Sequence, residues 1–276
     1  MEWGFADSSV RFYSTDSRKL LGLFEHMHNG QVSAAAFVDS KTLVTAGTDC
    51  VVIVWTVALS AKAVELPGNV CLFGHKWPVV TVAASKAFST LVSADTEGRV
   101  LMWDLNRREF VREIEHADKR GRKRRGVRVQ CARISGVTGH LALARGRMLA
   151  LYTVNGSLLL ERDVCGGEEE EEDEDEIASL AFYEGVGNEW VERELVFTGH
   201  RRGVVNCWNL TTDRAGAWTL ELVKRLNHVD LRREGANYAA AVSCILPMAQ
   251  VVYTGDEEGR VVSILFGSVR SLADIE

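Results

Sequence analysis

Four residues inside the stretch His28–Val57 are of types that could do chemistry: His28, Thr45, Asp49 and Trp55. An imidazole, a carboxylate and a hydroxyl are the parts from which an activated nucleophile is assembled. A second set follows in His75, Ser93 and Trp103. The same groups also suit a purely structural role, because buried polar groups must satisfy one another or destabilise the element that holds them. Which reading applies depends on the elements that carry them.

Those elements are short strands. QVSAAAF closes on a turn at Val38-Asp39-Ser40-Lys41, TLVTAG closes on a tight turn at Thr48-Asp49-Cys50, and VVIVWTV follows. The unit recurs. Trp103 ends LVSADTEGRVLMWDL, Tyr152 ends LALARGRMLALYTV, Trp208 ends LVFTGHRRGVVNCWNL, and Ile264 takes the aromatic place in VVYTGDEEGRVVSILF. Near the start, FADSSVRFY puts Asp7 in the turn and Tyr13 in the Trp place, where it is expected to pack as a substitute. The anchors are spaced 42, 48, 49, 56 and 56 residues apart, against about 40–45 for a four-strand propeller blade, the longer spacings being expected from loops. Short Val/Leu/Ala-rich strands divided by Gly, Asp and Asn turns, with only 3 prolines, read as an all-β chain.

Composition narrows the classes further. The chain has 276 residues, a net charge of -6 and 46% hydrophobic residues, enough to bury a sizeable core. Its acidity gives no reason to expect nucleic acid. Cys50, Cys71, Cys131, Cys165, Cys207 and Cys244 are scattered with no C-x-x-C pair, so neither a zinc site nor a redox motif is indicated. The N-terminus has neither the basic nor the apolar region of a signal peptide, and the longest apolar run is too short to span a bilayer. No phosphate-binding glycine loop, G-x-S-x-G or H-E-x-x-H signature occurs. No catalytic residue, metal or cofactor is therefore assigned.

The repeat resembles the WD40 unit, whose His before strand a, Ser/Thr in strand b, Asp in the b–c turn and Trp in strand c form a hydrogen-bonded tetrad. That resemblance makes His28, Thr45, Asp49 and Trp55 struts of one blade, and His75, Ser93 and Trp103 those of the next. The second repeat has Glu97 at the turn and Asp95 two residues earlier; the fourth keeps Thr198 and Trp208 but has Arg202 at the turn. The fifth keeps Thr254, with His228 as its candidate imidazole. The expected fold is all-β, a WD40-type propeller of about five full blades plus a partial first blade, an incomplete form of the seven-bladed type. Residues 1–20 are read as terminal strands of a partial blade and 21–276 as WD40 repeats.

A sharper resemblance covers Trp3 to Trp55. Trp3-Gly4, Asp7, Asp16-Ser17-Arg18-Lys19, Gly30-Gln31 and Thr48-Asp49-Cys50 look like the early propeller blades of BEACH-domain proteins, the beige/neurobeachin-like family. The resemblance implies a piece of a large scaffold in which PH-like and BEACH domains precede the propeller, and a chain starting inside a blade. Such a piece, with unpaired strand edges, is expected to be less stable alone than with its upstream blades.

Two charge blocks stand out. Lys119, Arg120, Arg122, Lys123, Arg124 and Arg125, with Arg128, place seven basic residues in ten, and Glu168–Glu176 are nine consecutive acids. On the repeat frame both are d–a loops. Four readings stay open: solvated loops without a partner, mutual attraction across neighbouring blades, contact of the basic loop with anionic lipid, or a nuclear or nucleic-acid patch. Gly199–Gly203 reads as an ordinary polar b–c turn, and Asp230–Ala240 as a longer connection with room for a short helix.

The function expected is a non-enzymatic protein–protein interaction scaffold with binding residues on its loops. The family resemblance points to vesicle traffic, vacuole or lysosome biogenesis and protein sorting, in the cytoplasm and peripherally on endomembranes, with protein partners. The alternatives are a nuclear or ubiquitin-pathway adaptor and, less favoured, a propeller enzyme.

Overall fold

A computed structural model describes residues 8–14, 16–60, 63–116, 126–165, 175–183, 194–227, 240–248 and 251–265. All regular elements among them are strands. The first sheet pairs β1 (Val10–Tyr13) with β2 (Leu20–Phe24). The next contains β3 (Val32–Asp39), β4 (Thr42–Gly47), β5 (Val52–Leu59) and β6 (Val64–Leu72), paired in that order. β7 (Val79–Ser85), β8 (Thr90–Asp95), β9 (Val100–Asp104) and β10 (Glu109–Ile114) repeat the arrangement, as do β11 (Cys131–Ile134), β12 (Leu141–Arg145), β13 (Met148–Tyr152) and β14 (Leu158–Asp163). A fourth set holds β15 (Ile177–Phe182), β16 (Glu194–His200), β17 (Val204–Thr212) and β18 (Trp218–Asn227), and β19 (Val242–Pro247), β20 (Val251–Asp256) and β21 (Val261–Leu265) complete the series. The architecture is a WD40-type β-propeller arrangement: four blades have four strands, the fifth has three among the described residues, and a strand pair opens the chain. The opening pair runs to Phe24, past the boundary expected at residue 20.

The chain forms two compact units. One holds residues 1–141 and 153–157, the other residues 142–152 and 158–276. In the first unit, one apolar cluster joins the opening pair to the β3–β6 blade through Val10, Phe12, Leu43, Ile53 and Trp55. Another joins that blade to the next through Val44, Val54, Leu91, Leu101 and Trp103. In the second unit Phe197, Val205, Cys207, Val242 and Val252 do the same for the last two blades.

The second strands of the middle blades are buried along their whole length, and their sequences show it. TLVSAD of β8 and LALAR of β12 are buried at every position, which calls for a nearly continuous apolar run rather than alternation. The outer strand EFVREI of β10 is exposed at every residue but Ile114. Serines tie neighbouring inner strands together. The Ser33 hydroxyl lies against the Val79 carbonyl as well as 3.1 Å from that of Ala46, and Ser179 Oγ donates to the Val242 carbonyl at 2.7 Å.

One packing expectation is corrected. Tyr152 fills its Trp place at 1% exposure, but Tyr13 is 48% exposed. Strand β1 turns Val10 and Phe12 inward instead. Phe12 takes the aromatic role, meeting Phe24 and Phe37 edge-on with centroids 5.6 and 6.3 Å apart. No helix among the described residues is long and apolar enough to cross a membrane.

Candidate functional site

The structure brings His28, Thr45, Asp49 and Trp55 together. His28 sits just ahead of β3, Thr45 on β4, Asp49 in the turn after it and Trp55 on β5. His28 Nδ1 lies 3.0 Å from Asp49 Oδ1, its Nε2 lies 2.8 Å from Thr45 Oγ1, and Trp55 Nε1 donates to the same hydroxyl at 2.8 Å. The Asp49 carboxylate also accepts from the backbone N–H groups of Asn29 and Val51. The site leaves no room at position 47: a Cβ on Gly47 would stand 2.6 Å from His28 Nδ1 and 2.7 Å from Asp49 Oδ1.

In the next blade His75, Ser93 and Trp103 also meet. His75 Nε2 is 2.7 Å from Ser93 Oγ, to which Trp103 Nε1 donates at 2.8 Å. The carboxylate is that of Asp95, with Oδ2 2.9 Å from His75 Nδ1; Glu97 at the turn contributes its backbone N–H to Asp95 Oδ1. His75, Ser93 and Asp95 are buried. Every hydroxyl and ring nitrogen of these two sets is engaged by its neighbours, and none is presented to a cleft.

The fourth blade solves the same problem with the roles exchanged, a point the sequence reading misses. Its imidazole comes from His200, the last residue of β16, and its carboxylate from Asp175, ahead of β15. His200 Nδ1 is 3.3 Å from Asp175 Oδ2 and its Nε2 is 2.9 Å from Thr198 Oγ1, which accepts from Trp208 Nε1 at 3.0 Å. His200 is 1% and Asp175 5% exposed. Two expectations change accordingly. Gly199–Gly203 is not simply a polar turn, and Asp175, the penultimate residue of the acidic run, is not in solvent. Burial pushes the Asp175 carboxyl up, but its hydrogen bond to His200, the charge of that ring and the Arg202 N–H more than offset it, so the group is held below its ordinary value.

Cys165, just beyond β14, joins this set: its Sγ lies 3.4 Å from His200 Nδ1. Burial, followed by the negative charges of Asp175 and Asp163, pushes its thiol up to about 12. The third blade keeps only a pair. Arg145 is buried and donates from Nη1 to the Tyr152 hydroxyl at 3.2 Å. In the fifth, the Asp256 carboxylate accepts from the N–H groups of Glu258 and Arg260 and pairs with the Arg260 side chain at 2.7 Å. His228, the stretch 230–239 and the basic residues Lys119, Arg120, Arg122, Lys123, Arg124 and Arg125 lie outside the described residues, as do 168–174 of the acidic run.

A groove of about 460 Å³ opens on the second blade, lined by Lys76, Trp77, Glu97, Arg99 and Glu113 with Gly126 at its rim. Arg99 Nε pairs with Glu113 at 2.9 Å across its floor. Trp77 is 54% exposed, and Phe73, four residues earlier in the chain, 73%, so this groove offers the Trp77 ring beside charge of both signs.

The family model "WD domain, G-beta repeat" matches residues 18–56. Beige protein homolog 1 of Schizosaccharomyces pombe is 26% identical over all of this chain, which covers 11% of that protein. BEACH domain-containing protein A2 of Arabidopsis thaliana is 28% identical over 76% of the chain and 6% of its own length. The human Lysosomal-trafficking regulator is 24% identical over 82% of the chain and likewise 6% of its own length. The chain thus spans about a tenth or less of these relatives. Among solved structures, the RRP9 WD40 repeats superpose with a TM-score of 0.63 at 17% identity, covering 92% of this chain and 68% of that one, which establishes the fold alone. The chain is a WD40-repeat propeller whose relatives, one of them along its whole length, are the BEACH-domain proteins.

Proposed function

We propose that this chain is a non-catalytic binding platform for proteins that sort or move vesicle cargo, working in the cytoplasm and peripherally on endomembranes. One observation carries the reading: its relatives along three quarters or more of its length include a protein named as a lysosomal-trafficking regulator. The site geometry supports the non-catalytic part, since the His, Asp, Ser and Thr groups of the first two blades are spent on one another. Binding then falls to the surface, and the Trp77 groove joins two features that hot spots favour, an exposed Trp and an Arg. Membrane attachment through BEACH and PH-like domains of a longer protein is part of the same proposal.

Proximity labelling with the full chain, compared with its Phe73→Ala/Trp77→Ala variant, tests this. Labelled proteins should be enriched in vesicle and endosome components and should fall several-fold in the variant. Labelling dominated by nuclear or ubiquitin-pathway proteins would favour the adaptor reading instead. An unchanged profile in the variant would remove the groove from it.

A further inference from the structure

The fourth blade carries a group that its tetrad does not need. In the first blade both Asp49 oxygens stand 3.0 and 3.1 Å from the imidazole Nδ1, and in the second Asp95 Oδ2 stands at 2.9 Å. In the fourth, the oxygen has moved out to 3.3 Å and the Cys165 sulfur lies beside it at 3.4 Å from the same nitrogen. The two atoms facing this nitrogen thus come from two residues, a carboxylate and a thiol, where the first two blades use one carboxylate alone. The three atoms all lie within 4.8 Å of one another, and all three residues are buried.

We propose that Cys165 Sγ, Asp175 Oδ2 and His200 Nδ1 form a Zn²⁺ site. With Zn–S about 2.3 Å, Zn–N about 2.0–2.1 Å and Zn–O about 2.0–2.2 Å, a tetrahedral site has N···S and N···O edges of about 3.5 and 3.4 Å. The observed separations, 3.4 Å to sulfur and 3.3 Å to oxygen, are close to those edges. The donor set of one sulfur, one nitrogen and one oxygen suits a borderline cation. Charge closes as well: a thiolate and a carboxylate neutralise a divalent ion in a site where uncompensated charge would be costly. Binding converts the Cys165 thiol to a thiolate and releases its proton to solvent.

The surroundings hold each ligand in place. Asp175 Oδ1 accepts from the Arg202 N–H, leaving Oδ2 for the ion. Cys165 is fixed by its own N–H, which donates to Asp163 Oδ1 at 2.9 Å. With Nδ1 on the metal, His200 carries its hydrogen on Nε2, toward Thr198 Oγ1, as metal-bound imidazoles commonly do. Three protein ligands leave a fourth position for water.

The site would pin the end of the acidic run to its blade. The test uses the full reduced chain with exposed Cys71 and Cys244 changed to Ser. Co²⁺ should bind at one equivalent with a thiolate-to-cobalt charge-transfer band, which Zn²⁺ then displaces. Cys165→Ser should abolish the band, and Asp175→Asn should weaken binding by about tenfold or more. Should those variants fail to fold, zinc X-ray absorption on the parent chain decides, with one sulfur expected at about 2.3 Å beside nitrogen or oxygen ligands. Absence of the band, its persistence in Cys165→Ser, or a shell of nitrogen and oxygen only would overturn the proposal.

Discussion

Asp175 and His200 stand 3.3 Å apart in the interior of the fourth blade, although the aspartate is the eighth of nine consecutive acidic residues and the histidine begins a run of basic ones. The two positions are the counterparts of His28 and the b–c turn carboxylate with their residue types exchanged. A single member of a charge block can thus be a core residue. With metal removed by a chelator, Asp175→Ala should cost about 3 kcal/mol or more, the usual result of stripping one partner from a buried pair. Its neighbour Glu176, which pairs with Arg201 near the surface, should cost less than about 1 kcal/mol on the same change. Urea unfolding of the two variants measures the contrast, and equal losses would mean that the fourth blade does not depend on this pair.

Gly98 controls where the chain enters the third blade. It has φ +77°, a region that disfavours side chains, and a Cβ there would stand 2.0 Å from the Val127 carbonyl oxygen. Backbone cannot yield as a side-chain tip can, and Gly126 N–H already donates to the Glu97 carbonyl at this turn. Gly98→Ala should therefore lose roughly 1–3 kcal/mol or more. A thermal midpoint within a degree of the parent would show that the turn and Val127 move apart freely.

The blades themselves are readable from the strand spacing, because two-sided burial writes continuous apolar runs and the turns between them carry fixed residue types. The first tetrad is readable for the same reason: His28, Thr45, Asp49 and Trp55 each occupy the place that the repeat assigns them. The fourth is not, since alignment on the turn residue finds Arg202 and stops there. A signal was present nonetheless. Asp95, His200 and Asp256 each follow the strand-b hydroxyl residue by two positions, the place where a side chain at Gly47 would enter the first tetrad. Counting from the hydroxyl rather than from the turn exposes the substitution. Nothing in nine like-charged residues distinguishes Asp175 from its neighbours; only the return of the chain into β15 does.

Asp39 and Lys86 form an ion pair at 2.7 Å between the first two full blades. The bond to Lys86, followed by the Lys41 N–H, holds the Asp39 carboxyl below its ordinary value. A lowered carboxylate stabilises the fold above its ordinary range and loses that contribution as pH falls through the folded value. The Lys86 side chain is 69% exposed, so solvent and salt limit the effect to about 0.2–1 kcal/mol. Asp39→Asn should lower stability by that amount at pH 7 in low salt. The deficit should shrink in high salt and vanish at pH 2–3 (roughly), below the carboxylate range. A deficit that persists in acid would point to packing rather than charge.

The six thiols divide by environment. Cys71 and Cys244 are exposed, whereas burial pushes Cys131, Cys165 and Cys207 up to about 12. Since the thiolate is the reacting form, those three (Cys165 in the metal-free chain) should be ionised to roughly one part in ten thousand at a pH of about 8, and they are also shielded from reagent. Cys50 is half-buried and raised by its burial, then by the charges of Asp49 and Asp95, so it should react at an intermediate rate. A disulfide-exchange reagent added to the native chain should therefore show a fast phase from the two exposed thiols and a slower one from Cys50. The remaining three should appear only on unfolding of the metal-free chain, because Cys207 faces the apolar contact between the last two blades, Cys131 is buried at the start of β11, and Cys165 is buried beside His200. Rapid modification of all six in the native chain would mean that these blades open far more readily than their packing implies.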